Sequence, residues 1–127
     1  RHDLIENPSS AAARDRRQDG HLVEGASASG VSATVDSAAV PVFDGTWELL
    51  ERDFYPGGSQ RNVEAVTPRL MGSPDPRTVR MLADAQTSGG LLIAVDPARL
   101  DGLLIDLPDA AVIGRIDAGF SGRIAIV

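Results

Sequence analysis

The chain has 127 residues, of which 43% are hydrophobic, and it carries a formal net charge of −6. This length fits one ordinary domain with a single core. The acidic balance argues against a protein that binds nucleic acid by neutralising phosphates, and against attraction to anionic membranes. The sequence contains no cysteine, and all twelve basic residues are arginine. Disulfides, thiolate metal sites, a cysteine nucleophile and a Schiff-base lysine are therefore excluded in this chain.

No pattern directs the chain to a membrane or out of the cell. No segment is apolar for long enough to predict a membrane span, and the start shows no signal peptide. A composition without cysteine suits a cytoplasmic protein. The first residue is Arg1 rather than Met, as expected for a piece of a longer protein.

The start of the chain differs from the remainder. Residues 1 to 19 show no apolar periodicity, and they contain many charged residues next to small polar ones. This composition predicts a loose, disordered tail. From Gly20 onward, helical and strand patterns alternate, and we predict a folded domain over residues 20 to 127.

A helix followed by a strand is predicted at the start of this domain. The segment GHLVEGASASG places Leu22, Val23 and Ala26 on one helical side and ends at Gly30, which favours a helix stop. The segment VSATV, residues 31 to 35, then alternates larger and smaller or polar side chains. Such alternation is typical of a strand with one buried face.

A second helix is predicted in FDGTWELLERDF. Asp44 is placed to act as its N-cap, and Trp47, Leu50 and Phe54 follow at helical spacing. The three apolar side chains are therefore expected to face the core together.

A third helix is predicted in SPDPRTVRMLAD. Asp75 can cap its start and Pro76 fits the first turn. Val79, Leu82 and Ala83 then share one face, which is expected to pack inward.

The last third of the chain predicts three strands and one more helix. The segment LLIAV, residues 91 to 95, is apolar on both alternating faces, as in a central strand covered on both sides. Asp96 and Pro97 then open a helix with leucines facing inward. AAVIGRI and GRIAIV follow as strands, and the connection at residues 117 to 119 predicts a hairpin. Together these elements predict an α/β (α+β) sandwich, with helices packed on a mixed sheet in two or three layers.

The first candidate site is the turn Gln86-Thr87-Ser88-Gly89-Gly90. Its backbone amides, two hydroxyls and amide side chain could bind an anion. However, the usual phosphate cradle runs from strand through glycine loop to helix, whereas here the order is helix, loop, strand. The glycines could equally supply positive φ and close packing at the start of a strand, and this structural interpretation is favoured.

The second candidate site is YPGGSQRN, where Pro56 and Gly57 have the residue types of a type II turn. Gly58 follows in the same turn. Arg61 could bind a carboxylate or a phosphate through its guanidinium group, and Asn62 could form a hydrogen bond with a ligand. An arginine and an asparagine after a tight turn more often hold the loop or stay solvated, so a structural role is favoured here too.

No self-sufficient active site can be assembled from the remaining polar residues. His21 has no second histidine beside it in the predicted domain, and a lone histidine is usually structural. Four carboxylates stand at element ends, where capping explains them: Asp36, Asp84, Asp96 and Asp117. No metal site is predicted on this chain.

Taken in order, these motifs resemble the C-terminal domain of the selenophosphate synthetase (selenide, water dikinase) family. The resemblance rests on GHLVEGASASGVSATVDSAAVPVFDGTWELL, YPGGSQRN, DAQTSGGLLIAVDPARLDGLL and AAVIGRI. It covers the chain from about Gly20 to Val127, and its two glycine motifs are specific as a pair. The wider superfamily includes aminoimidazole ribonucleotide synthetase and thiamine-monophosphate kinase, so the resemblance implies an aminoimidazole ribonucleotide synthetase C-terminal-domain-like fold.

The resemblance implies an ATP- and magnesium-dependent phosphotransferase that makes selenophosphate from selenide, releasing AMP and phosphate. In that family the N-terminal domain carries the catalytic cysteine or selenocysteine, a lysine and the magnesium-binding aspartates. A family aspartate just before the Gly-His pair is replaced here by Ala12. This chain alone is therefore expected to be inactive and to bind no ATP or magnesium tightly. The glycine motifs become candidates for a phosphate or interdomain contact.

The expected partners are the missing N-terminal ATP-binding domain and, for the whole enzyme, selenide, ATP and a second subunit of a homodimer. Two alternatives stay open. One is the C-terminal domain of a related ATP-dependent enzyme, such as a thiamine-monophosphate kinase. The other is a non-catalytic module that docks on a separate nucleotide-binding subunit.

Overall fold

The computed structural model describes residues 1–7, 18–85 and 90–127. Within these ranges the chain forms one six-stranded sheet and five α-helices. The strands are β1 (His2–Asn7), β2 (Val31–Val35), β3 (Leu70–Met71), β4 (Leu91–Val95), β5 (Ala111–Ala118) and β6 (Ile124–Ile126). The helices are α1 (Gln18–Ala28), α2 (Thr46–Glu51), α3 (Gly57–Val66), α4 (Pro76–Leu82) and α5 (Leu100–Asp106). None of these helices is long and apolar enough to cross a membrane.

The sheet is mixed, with the strand order β3-β6-β2-β5-β1-β4. β6 pairs in parallel with both β2 and β3, while β1 pairs antiparallel with β4 and β5, and β2 pairs antiparallel with β5. Helices pack on this sheet, which confirms the predicted α/β class with a mixed sheet.

The main core lies between one face of the sheet and helix α1. Its buried members come from four strands and α1: Leu4, Ala26, Ala33, Val35, Ile113 and Ile124. A second cluster joins α3 and α4 through Val66, Val79 and Ala83. Val23 and Leu70 pack against both clusters, so α1, α3 and α4 cover the same face of the sheet. Packing against this core fixes the positions of the ends of α3 and α4.

Local sequence signals predicted α1, β2 and α4 correctly. Ala26 is buried in α1, and Gly30 ends the helix with a φ of +67°. Asp75 accepts a hydrogen bond from the backbone N–H of Thr78 at 3.0 Å, as an N-cap does. Hydrogen bonds from the Thr78 backbone and hydroxyl hold the pKa of Asp75 below its usual value.

The predicted loose tail over residues 1 to 19 is wrong for His2–Asn7, which form β1 in the interior of the sheet. Leu4 and Ile5 are 1% and 0% exposed. Successive side chains of a strand point to opposite faces, so the sheet is covered on both faces at this strand. Two apolar residues among charged neighbours give no periodicity, and their burial comes from pairing with distant strands. The predicted boundary at Gly20 remains a prediction.

The start of α2 also differs from the prediction. Gly45, not Asp44, is the N-cap, with a φ of +82° and no side-chain cap bond. Phe54 lies beyond the helix and is 62% exposed, whereas Leu50 is buried. The helix ends early because Asp53 adopts a φ of +60°, and its N–H and that of Phe54 close back on α2 carbonyls, as in a Schellman motif.

Strand β4 is an edge strand of the described sheet rather than the predicted central one, because β1 is the only described strand that pairs with it. Leu91 is 42% exposed. An apolar run reports what covers the two faces of a strand, and it carries no information about the neighbours along its edges. The Asp96 cap was predicted correctly, although a 3-10 turn (Pro97–Arg99) precedes α5.

The predicted hairpin between β5 and β6 is also wrong, because β2 lies between them. The connection crosses the start of β2, where the N–H of Gly122 donates to the Val31 carbonyl at 2.9 Å. Gly122 has a φ of +69°, which favours glycine at this crossing. The short connection therefore steps over one strand instead of forming a turn between neighbours.

Candidate functional site

The motif YPGGSQRN builds the first turns of α3. Pro56 is the N-cap, with φ −62° and ψ 143°, and Gly57 is the first helical residue. A type II turn requires positive φ at its third residue, and Gly57 is not among the positive-φ glycines, so that prediction is wrong. No side chain caps this helix, and its first N–H groups have no acceptor inside the helix. The Ser59 N–H donates to the Pro56 carbonyl at 2.9 Å, so within the described ranges the Gly57 and Gly58 N–H groups are the ones left without an acceptor at the start of α3.

Ser59 ties this turn to the end of α4, and sequence reasoning missed it. Its side chain is 0% exposed, the only buried polar residue in the described ranges. The Ser59 hydroxyl donates to Asp84 Oδ1 at 2.6 Å and accepts from the Ala85 N–H at 2.8 Å. Both functions of the hydroxyl are used, so the burial of this polar group is fully compensated. The sequence signal that could have indicated this contact is that YPGGSQRN and DAQTSGG occur together in one chain.

Asn62 and Gly58 strengthen the same connection. Asn62 Nδ2 donates to the Ala83 carbonyl at 3.1 Å. A Cβ added to Gly58 would lie 3.3 Å from the Ala85 Cβ, so the two segments approach closely at that point. We call the contacts of Gly58, Ser59 and Asn62 with residues 83 to 85 the α3 clasp. The Asn62 amide nitrogen therefore holds the two segments together, and a ligand contact of this residue stays a prediction.

Arg61 is the member of the motif that remains available. It is exposed and makes no hydrogen bond or ion pair with the rest of the described chain. One guanidinium nitrogen lies 4.0 Å from the position that a Gly58 Cβ would take. A free guanidinium therefore stands beside the uncapped start of α3. This combination suits a phosphate or a carboxylate.

The other predicted site lies mostly outside the described residues. Gln86, Thr87, Ser88 and Gly89 fall between the described ranges, and only Gly90 lies within them, directly before β4. The α3 clasp fixes residues 83 to 85, which lead toward this segment.

Two arginines of α4 contact the chain segment that leads from α2 to the start of α3. Arg77 lies over the Trp47 ring at 4.8 Å and pairs with Glu51. Arg80 lies over the Tyr55 ring at 4.5 Å and pairs with Asp53 at 2.7 Å, and this bond raises the pKa of Arg80. These contacts join α4 to the segment that runs from α2 into Pro56.

The remaining candidates do not form a catalytic group. His21 lies in α1, and its side chain falls outside the described part of the structure. Asp36 and Asp96 accept backbone N–H groups two residues ahead, and Asp117 pairs with Arg115 at 2.9 Å. In the described ranges, no three His, Asp or Glu side chains come together to hold a metal ion.

The two adjacent glycines of α3 give a matched test of the clasp. Replacing Gly57 by alanine should stabilise the protein by about 0.5–1 kcal/mol, because nothing lies within 4 Å of the new Cβ and the unfolded chain loses freedom. Gly58→Ala should not raise the free energy of unfolding in this way, because the new Cβ would lie 3.3 Å from the Ala85 Cβ. Urea unfolding of both variants measures the difference. Equal stabilisation by the two substitutions would contradict close packing at Gly58.

Comparison with protein families matches residues 20–127 to "AIR synthase related protein, C-terminal domain". Relatives named "Selenide, water dikinase" are also similar. The Bordetella bronchiseptica protein is 48% identical over 79 residues, 62% of this chain and 23% of the relative. The Haemophilus ducreyi protein is 46% identical over 82 residues, 65% and 23% respectively. The Porphyromonas gingivalis protein is 43% identical over 101 residues, 75% and 29%. The matched part is thus about a quarter of each relative's length.

Proposed function

Because the chain belongs to the family of AIR synthase related proteins, C-terminal domain, we propose that it is the C-terminal domain of a selenide, water dikinase. The whole enzyme would transfer phosphate from ATP to selenide, making selenophosphate and releasing AMP and phosphate. Its catalytic cysteine or selenocysteine, lysine and metal-binding aspartates would lie on an N-terminal ATP-binding domain. This chain, which has no cysteine and no lysine, would complete the enzyme without supplying the nucleophile. A cytoplasmic location and a homodimeric whole enzyme belong to the same proposal.

At the level of the site, the proposal rests on two backbone N–H groups at the start of α3 that have no acceptor in the described ranges, those of Gly57 and Gly58. The N–H groups of Gly57 and Gly58 have no acceptor within the helix, and Arg61 stands beside them without a partner in the described ranges. An anion at a helix start is favoured by the helix dipole and by those N–H groups. We therefore assign Gly57, Gly58 and Arg61 a contact with a phosphate group or with a carboxylate of the N-terminal domain.

We include the segment Gln86–Gly90 in this proposed contact because its residue types could bind an anion. It follows directly on residues 83 to 85, which the α3 clasp holds against Gly58, Ser59 and Asn62. The two motifs are thereby linked through the described residues. Asn62 contributes by holding Ala83.

The residues present fit part of a phosphate contact and do not fit a magnesium site. No described cluster of His, Asp or Glu has the number of oxygen or nitrogen ligands that a metal requires. Magnesium and most of the ATP contacts are therefore proposed to lie on the other domain. Bound ATP would supply the phosphoryl group. The role of this chain would be to orient the phosphates and to exclude water.

The proposal is tested by joining this chain to the remaining part of a relative. The pure chain should hydrolyse ATP no faster than background, with and without selenide. The whole chain, which keeps β1, fused in place of the matching quarter of the Bordetella bronchiseptica protein should restore selenide-dependent formation of AMP. The Arg61→Met variant of the fusion should raise KM for ATP or lower kcat, whereas Arg99→Met, an exposed arginine on the 3-10 turn before α5, should change neither.

Three outcomes would count against the proposal. ATP hydrolysis by the pure chain would mean that it carries a site of its own. A fusion that folds, by its circular dichroism and cooperative melt, but forms no AMP would contradict membership in this enzyme. Activity recovered on mixing the two parts as separate chains, with no gain from fusing them, would favour a module that docks on a separate nucleotide-binding subunit.

A further inference from the structure

The core between the sheet and the helices α1, α3 and α4 is incompletely filled. It leaves a cavity of about 80 Å³, partly open to solvent, whose lining in the described residues is aliphatic apart from one carboxyl group, that of Glu6. The lining includes Val23 of α1, Val66 of α3 and Val79 of α4. Protein interiors are close-packed, so an unfilled space among aliphatic side chains is a place where a small apolar group gains contacts.

Glu6 is the polar exception, and no group in the described ranges balances its charge. Its cross-strand neighbours are Leu92 on β4 and Ala111 on β5, and Leu4 precedes it on the same face of β1. In the described residues, no side chain or backbone group forms a hydrogen bond or an ion pair with the Glu6 carboxylate. Burial raises the pKa of Glu6, with no opposing charge or hydrogen bond to lower it. The carboxylate thus lacks a donor at the edge of an apolar space.

We propose that this cavity binds a short primary alkylammonium ion, with the hydrocarbon chain among the aliphatic side chains and the ammonium group at the Glu6 carboxylate. The ammonium supplies the charge-assisted hydrogen bond that Glu6 lacks, and the alkyl chain fills the space. This inference goes beyond the proposed function and does not rest on it, since the cavity involves neither Arg61 nor the free N–H groups of α3.

The volume limits the length of the ligand. A water molecule takes about 30 Å³ in the liquid, and a cavity of about 150 Å³ accommodates benzene. A space of about 80 Å³ therefore suits a chain of roughly three or four carbons and excludes a ring. We expect n-propylammonium and n-butylammonium to bind more tightly than methylammonium, which leaves the cavity empty, and than benzylammonium, which exceeds it.

The test uses the whole chain at pH 8, well above the usual pKa of a carboxyl group and well below that of an alkylammonium ion. n-Butylammonium chloride should raise Tm in a saturable manner above the effect of equal tetramethylammonium chloride, which has no N–H donor. 1-Butanol, which fills the cavity without the charge, should bind more weakly. In ¹H–¹⁵N spectra, the amides of Glu6, Leu92 and Val79 should shift together with n-butylammonium.

Two variants separate the charge from the cavity. Glu6→Gln should weaken n-butylammonium binding by at least about tenfold, the loss expected for a charged hydrogen bond, and leave 1-butanol binding unchanged. Glu48→Gln, on the exposed surface of α2, should change neither. Val79→Ile, which fills part of the cavity, should weaken both ligands. If n-butylammonium gives no more than the tetramethylammonium effect, or if Glu6→Gln leaves its binding intact, the proposal is wrong.

Discussion

A chain that begins at Gln18, and so lacks β1, is expected to lose its cooperative thermal unfolding. β1 joins β4 to β5, and no other strand within residues 1–7, 18–85 and 90–127 pairs with β4. Its removal would also uncover the core at the positions of Leu4 and Ile5, which are 1% and 0% exposed. The segment from β4 into α5 would then lose its strand pairing and would keep the contact of Leu92 with the core. The measurement is a thermal melt followed by near- and far-ultraviolet circular dichroism.

Point variants test the same strand without removing it. Leu4→Ala and Ile5→Ala should each lower the free energy of unfolding by about 2–5 kcal/mol, the range for truncating a buried aliphatic side chain. Leu49→Ala is the matched control, because Leu49 is 50% exposed, and it should cost far less. A truncated chain that melts at the same temperature as the full chain, together with small effects at both positions, would restore the interpretation of residues 1 to 19 as a loose tail.

The contrast between β1 and α4 shows which features were predictable from sequence. Helix α4 is encoded locally, since Asp75 caps it, Pro76 fits its first turn and Val79 recurs at helical spacing. Strand β1 has only Leu4 and Ile5 as apolar residues, one for each face. Its place in the sheet depends on pairing with residues 91–95 and 111–116, which no local pattern expresses.

The edge position of β4 and the separation of β5 from β6 were missed for a related physical reason. Apolar alternation reports burial of the faces of a strand, and the order of strands in a sheet is set by crossover connections. The connection at Gly122 steps over β2, although its sequence has the residue types of a hairpin turn. Fold class could therefore be predicted from element order, whereas strand order could not.

The candidate site was found through a resemblance, and its physical organisation was not foreseen. Gly57, Gly58, Arg61 and Asn62 were singled out as residues of one turn. The structure divides them, with Asn62 holding Ala83 and Arg61 left without a partner in the described ranges. Ser59 was overlooked because a serine among glycines suggests an exposed turn. Its partner Asp84 lies 25 residues away, beyond any local pattern.

Ser59→Ala is expected to produce the second large effect, at the centre of the α3 clasp. The substitution removes the donor to Asp84 Oδ1 and the acceptor for the Ala85 N–H, which are bonded at 2.6 and 2.8 Å. Asp84 is half-buried and Ala85 is exposed, so water can reach the two groups left behind, and we expect a loss of about 1–3 kcal/mol in the free energy of unfolding. Urea unfolding measures it, and the m-value should stay constant if only the native state changes.

The clasp also predicts where the loss should appear locally. In Ser59→Ala the Ala85 amide should exchange with solvent much faster than the amides of β2, because its acceptor is gone while the sheet is intact. Ser73→Ala, an exposed serine before α4, should alter neither the stability, beyond about 0.5 kcal/mol, nor that exchange. A double-mutant cycle with Asp84→Ala should show that the two residues are coupled, since each variant alone already breaks their bond. Additive effects would mean that Ser59 and Asp84 contribute separately. The α3 clasp would then fail as the physical reason why the two glycine motifs occur together.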